Sequence, residues 1–106
     1  TKINCLLVKK LLLRYTKKKI TFKKPNDLLI EKKKISGILQ EIISFSNKKF
    51  LITGIGINLI KNPIIKNYST TNLYELTKKN ITKSKLENDL KQIFEKNLTK
   101  MYKLKY

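Results

Sequence analysis

Three short segments carry residue types that packing alone explains poorly. The first is Lys23-Lys24-Pro25-Asn26-Asp27. Pro fixes φ, and Asn and Asp bond back to nearby backbone, so an ordinary turn accounts for it. The same turn places an amide beside one of only seven carboxylates in the chain, a pairing suited to phosphate-linked Mg²⁺ or a ribose. The second is Lys34-Ile35-Ser36-Gly37-Ile38-Leu39. A Gly inside an apolar strand costs stability and often marks close approach of a ligand or another backbone. Lys34 reads either as a solvated member of a lysine run or as an ammonium able to neutralise a carboxylate and an α-phosphate brought together. The third is Gly54-Ile55-Gly56-Ile57-Asn58. Alternating Gly leaves one face of a strand bare, which admits a flat group such as a purine, although a bulge or tight sheet packing would use the same residues. The third Gly and the following helix of a dinucleotide fingerprint are absent.

Composition removes other chemistries. His is absent and Cys5 is the single cysteine, which rules out His-dependent triads, a disulfide framework and a Cys-based metal site. The net charge of +18 is carried almost entirely by Lys, with Arg14 the single Arg. Dedicated nucleic-acid surfaces lean on Arg for bidentate contacts. Together with the abundance of Asn and Ile, this charge reads as compositional drift that causes salt-sensitive sticking to polyanions. The alternative of another class is a small basic nucleic-acid-binding module. No apolar run approaches the roughly 18 residues of a membrane span and no signal-peptide pattern is present, so a cytoplasmic location is expected.

The elements that must position these residues follow from periodicity. Residues 4–16 read as a helix through Leu7, Leu11 and Tyr15. Ile20-Thr21-Phe22, Leu28-Leu29-Ile30, Lys34 to Phe45 and Phe50 to Asn58 read as strands separated by short polar turns, the last at Ser46-Asn47-Lys48. The Phe50–Asn58 run is apolar on both faces, which predicts a central strand. Residues 62–71 read as a loop. Ser84-Lys85-Leu86-Glu87 has the spacing of a capping box opening a final helix, whose face is traced by Leu86, Leu90, Ile93, Phe94, Asn97 and Met101 before a frayed tail after Tyr102. The expected class is α+β: an antiparallel or mixed β meander packed against an N-terminal and a C-terminal helix. The apolar helix opens within a few residues of Thr1 without a cap, so the start is expected to be a cut.

Taken together, the three segments resemble, in order and spacing, the K-W-P-N-D, K-x-x-G-I-L-x-E and G-x-G-I-N motifs of biotin–protein ligases. The resemblance runs from about Asn4 to Tyr102. It implies residues 1–106 of a partial catalytic domain whose N-terminal half is missing. The implied activity is ATP-dependent ligation of biotin, through biotinyl-5′-adenylate, to a lysine of a biotin carboxyl carrier domain. ATP, biotin and Mg²⁺ are the implied substrates and ion, and a homodimer is an assembly the resemblance allows. By motif, Lys34 is the implied catalytic lysine, and Lys34, Gly37, Ile38 and Leu39 face biotin. Lys23, Asn26, Asp27, Gly54, Gly56 and Asn58 serve the nucleotide, with Asp27 toward Mg²⁺. Lys24 stands where the family has Trp, and the family's upstream Gly/Arg-rich loop has no counterpart here, so the chain alone is expected to have weak activity or none. Lipoate–protein ligases share the fold and a similarly placed lysine and form the nearest alternative; the Pro-Asn-Asp turn followed by Gly-Ile-Leu leans toward biotin.

Overall fold

The computed structural model describes residues 2–61, 63–64 and 69–105, with side chains described for 3–61, 63–64 and 69–97. Helix α1, Lys2–Leu12, turns its Val8, Leu11 and Leu12 side wholly inward. Four strands follow: β1 Ile20–Lys23, β2 Asp27–Ile30, β3 Lys33–Phe45 and β4 Lys48–Ile57. They pair in chain order, each antiparallel to the next, as expected for a meander. Two connections are two-residue turns, Glu31-Lys32 and Ser46-Asn47, with φ positive at both residues of each. That geometry matches the twist of the strands it joins. Helices α2, Leu73–Thr77, and α3, Lys83–Lys105, complete the chain.

The helices lie on one face of the sheet, and the apolar core forms there. Leu28, Ile30, Ile35 and Ile38 of β2 and β3 meet Val8, Leu11 and Leu12 of α1, together with Leu73, Leu86 and Ile93. At ~1.5–3 kcal/mol for burying each large apolar side chain, this cluster is the main source of stability. Among the described residues, no helix covers the opposite face of the sheet.

Several sequence expectations are corrected. β4 is an edge strand, with β3 on one side and no further strand among the described residues. Ile55 and Ile57 are partly buried against the core, but the other end of the strand is bare: Leu51 is 61% exposed, and Ile42 and Phe45 on the facing part of β3 are 68% and 70% exposed. Helix α2 falls between the expected 62–71 loop and the last helix, a stretch for which the sequence pattern indicated no element. Asn72 caps it by accepting a hydrogen bond from the Glu75 N–H at 2.7 Å. The expected capping box at Ser84 is replaced by Thr82, whose Oγ1 accepts from the Lys85 N–H at 3.1 Å. The last helix continues through residues 103–105, where a frayed tail was expected. Met101 lies outside the described side chains, and part of the 62–71 segment lies outside the described residues.

Candidate functional site

The Pro-Asn-Asp turn is the β1–β2 connection. Lys23 and Asp27 are cross-strand partners at its base, and the Asn26 carbonyl accepts from the Ile38 N–H at 2.9 Å, tying the turn to β3. Asp27 is in turn the cross-strand partner of Gly37, and Gly37 of Gly56. The turn, the Lys-Gly strand and the Gly-x-Gly strand therefore meet side by side across three neighbouring strands.

A β-bulge decides where Lys34 points. Leu28 pairs with Ser36, but Leu29 pairs with Lys34, so Ile35 is an extra residue in β3. Ile35 and Ser36 are both buried, at 0% and 1% exposure, which simple alternation forbids. Counting back from Gly37 without the bulge would send Lys34 to the core. With it, Lys34 emerges on the same face as Gly37, the re-aiming that bulges near sites perform. The Lys34 backbone is clamped as well. Its N–H donates to the Ser69 carbonyl at 2.8 Å and its carbonyl accepts from the Thr71 N–H at 2.9 Å, in a parallel bridge with Thr70.

These residues enclose an open cleft of about 540 Å³, lined by Asn26, Asp27, Lys34, Gly37, Ile38, Leu39, Gly54, Gly56, Asn58 and Pro63. The chain has only three glycines, and all three lie here. Among the described residues, a methyl group on Gly54 or Gly56 would touch nothing nearer than a backbone oxygen at 3.9 or 3.8 Å, so the floor there is bare of side chains. Lys34 Nζ sits 3.3 Å from Asp27 Oδ1, with the two side chains 25% and 15% exposed. Ser36, on the core side, donates to the Gly56 carbonyl at 2.7 Å and locks β3 to β4 beneath the floor.

The structure brings together nine of the ten residues singled out from the sequence (Lys34, Gly37, Ile38, Leu39, Asn26, Asp27, Gly54, Gly56 and Asn58). Lys23 is outside the lining, though it stands next to it through its pairing with Asp27. Within the lining, Ile38 and Leu39 divide. The Ile38 side chain is fully buried in the core on the other face, whereas Leu39 is 72% exposed and forms the apolar wall. Asn58 is more committed than expected. Its Nδ2 donates to the carbonyls of Thr71 at 3.0 Å and Lys34 at 3.3 Å, which commits both amide hydrogens to backbone. Sequence reasoning missed Pro63 and the Ser69–Thr71 clamp, for which no local pattern exists. Cys5 is buried, which pushes its thiol up from its ordinary value and leaves it a poor nucleophile.

The cleft thus pairs a buttressed cation with a flat, bare floor and one apolar wall. That combination suits an anionic group joined to a planar ring. Comparison with known proteins places the chain in a family. Residues 3–58 match the model of the biotin/lipoate A/B protein ligase family. A search of curated protein sequences found no match. Among solved structures, apo biotin protein ligase from Aquifex aeolicus aligns with a TM-score of 0.73 at 33% identity, over 92% of this chain and 43% of that one. The same ligase in complex with biotin and ATP gives 0.72 at 33% identity, over 92% and 41%. P. falciparum LipL1 in complex with lipoate gives 0.67 at 23% identity, over 100% and 32%, and shares the fold. The chain spans less than half the length of each. By its match over residues 3–58, the chain belongs to the biotin/lipoate A/B protein ligase family.

Proposed function

We propose that residues 1–106 form part of a ligase catalytic domain that joins biotin to ATP as biotinyl-5′-adenylate and passes the biotinyl group to a carrier lysine. In the first step a biotin carboxylate oxygen attacks the α-phosphorus and pyrophosphate leaves. In the second the carrier amine attacks the acyl carbon and AMP leaves. Both steps crowd negative charge between carboxylate and α-phosphate. A fixed ammonium there lowers the barrier most because it needs no reorganisation as the charge builds. The observation that carries this reading is Lys34, aimed by a bulge over a cleft floored by Gly37, Gly54 and Gly56.

On this reading the fused ring of biotin lies against the exposed Leu39 and beside the Lys34 head that rests over Gly37, with the buried Ile38 supporting β3 from below. The adenine lies flat over Gly54 and Gly56, and Asn58 Oδ1 accepts from its exocyclic amine. Asn26 and Asp27 face the phosphates, and Lys23 adds positive charge next to the rim. Mg²⁺ entering on ATP keeps most of its own waters and needs one or two protein carboxylates. Asp27 is the acidic residue of the cleft lining and fits that modest demand, although its Oδ1 is held by Lys34. Such an ion would offset phosphate charge.

Biotin is preferred over lipoate because the Pro25-Asn26-Asp27 turn followed by Gly37-Ile38-Leu39 fits the biotin ligase motifs, and the solved structure at 33% identity is a biotin protein ligase. The partner proposed is a biotin carboxyl carrier domain. A second copy of this chain is the other candidate, supported by the exposed apolar ends of β3 and β4 at Ile42, Phe45 and Leu51. Among the described residues no helix is long and apolar enough to cross a membrane; a cytoplasmic setting is proposed from the single buried cysteine.

Calorimetric titration with non-hydrolysable biotinyl- and lipoyl-adenylate analogues tests the reading. The biotinyl compound should bind more tightly, and Lys34→Ala should weaken it at least tenfold, as for loss of a charge-assisted contact worth about 1.5–3 kcal/mol. Equal affinity for both compounds would remove the preference for biotin. An unchanged affinity in Lys34→Ala would remove Lys34 from the mechanism.

A further inference from the structure

A methyl group built on Gly37 would meet Lys34 Cε and Nζ at 3.3 Å, and Asp27 Oδ1 at 3.6 Å. The space a side chain would fill at position 37 is therefore occupied by the head of Lys34. Asp27 Oδ1 holds that head at 3.3 Å, and Asp27 and Gly37 are cross-strand partners. The bulge at Ile35 brings Lys34 to this face, and the clamp through Ser69 and Thr71 fixes its backbone.

We infer that Asp27 and Gly37 form a cradle that positions the Lys34 ammonium flat across the cleft floor, Asp27 by ion pairing and Gly37 by leaving room. This goes beyond an assignment of Asp27 to phosphates or a metal, and beyond an assignment of Gly37 to closeness with biotin. It rests on the reading of Lys34 as the lysine that meets the reacting groups. A lysine has a long stem with four rotatable bonds, and an unheld one spends most of its time elsewhere. The cradle removes that freedom before substrate arrives, so its alignment does not have to be met from binding energy. Asp27 is a positioning residue here, acting through Lys34.

Trace acetylation of the intact chain with N-hydroxysuccinimidyl acetate, read lysine by lysine by mass spectrometry, tests the cradle, with the other lysines as internal standards. In the native chain Lys34 should label slowly. Asp27→Asn should raise its labelling about fivefold, the factor for losing a partly exposed ion pair of about 1 kcal/mol, while the other lysines keep their rates. Asp27→Glu should bring Lys34 back toward the native rate, which a general loosening of the turn would not do. Gly37→Ala should also raise Lys34 labelling, by a smaller factor, because the added methyl displaces a flexible side-chain end. Unchanged Lys34 labelling in folded Asp27→Asn would overturn the cradle. If circular dichroism shows that Asp27→Asn does not fold, Gly37→Ala decides by the same criterion. The ligase reading fails separately. A cradle confirmed by labelling in a chain that binds no biotinyl-adenylate analogue keeps the geometry and removes the function, and the reverse pattern does the opposite.

Discussion

Asn58 separates a structural from a ligand-binding role most cleanly. Its side-chain Nδ2 donates to the Thr71 carbonyl at 3.0 Å and the Lys34 carbonyl at 3.3 Å. Its backbone N–H donates to Ile35 at 2.9 Å, and its carbonyl accepts from Leu73 at 3.0 Å. The Lys34 carbonyl also receives the Thr71 N–H, so it keeps a donor when the Asn58 amide is removed. The Thr71 carbonyl loses one, on a residue only 2% exposed. Leaving a buried carbonyl short of a donor costs ~1–3 kcal/mol, and the longer bond to Lys34 adds a fraction more, so Asn58→Ala should cost ~2 kcal/mol. With a urea m-value of about 2 kcal/mol/M, the unfolding midpoint should fall by ~1 M. Asn58→Asp keeps the acceptor proposed to meet adenine but turns a carboxylate toward the same carbonyls. It should be destabilised at neutral pH at least as much as Asn58→Ala. Were Asn58 only a base-contacting residue, neither change would move the midpoint. Midpoints for both variants indistinguishable from the native chain would refute the latch.

Tyr15 donates to Asp89, which also faces Lys85 at 3.2 Å and Arg14 at 3.5 Å, and so joins the turn after α1 to α3. Burial, then the bond to Asp89, pushes the Tyr15 phenol up to about 12, while the bond from Tyr15 holds the Asp89 carboxyl below its ordinary value. The Tyr15 contribution is complete below the unfolded value of about 10 and is lost as pH rises through the folded one; the Asp89 contribution is present above about 4 and lost as pH falls. Tyr15→Phe should therefore lower Tm by several degrees near neutrality, with the gap closing toward both extremes; a gap as wide at pH 3 as at pH 7 contradicts this. Adjacent residues of β3 should behave oppositely. Ile38→Ala, at a fully buried position, should cost ~2–5 kcal/mol, whereas Leu39→Ala should change stability by no more than about 0.5 kcal/mol yet weaken analogue binding; similar urea midpoints for the two would void the face assignment. Thr82→Ala should cost about 1 kcal/mol by removing the α3 cap, while Ser84→Ala should cost little, and the reverse order in thermal melts would restore Ser84 as the cap.

Much of the site was legible because its motifs depend on residue type and spacing. A Pro-Asn-Asp turn, a Gly in an apolar strand and alternating Gly each leave a local signature, and the two-residue turns between strands fix the meander that brings them together. Alternation counted from Gly37 would also have separated the inward Ile38 from the outward Leu39. The orientation of Lys34 was not legible. It depends on a one-residue slip against β2, and nothing in Lys34-Ile35-Ser36 distinguishes a bulge from a regular strand. The latch from Asn58 to Thr71 and Lys34 crosses 13 and 24 residues of chain, beyond the reach of any periodicity. β4 was misplaced because an apolar strand reads the same whether its faces are covered or bare. Helix α2, at five residues, is too short for its pattern to stand above the surrounding loop.

The most direct test of the central claim uses the fact that Gly37, Gly54 and Gly56 are the only glycines in the chain and all lie in the cleft. With ¹⁵N-glycine labelling, an amide correlation spectrum reduces to these three positions. Titration with a non-hydrolysable biotinyl-adenylate analogue should shift all three signals together along one saturating curve, and Lys34→Ala should displace that curve to higher concentration. Three signals that stay fixed up to millimolar analogue, in a chain whose spectrum shows it folded, would contradict the account.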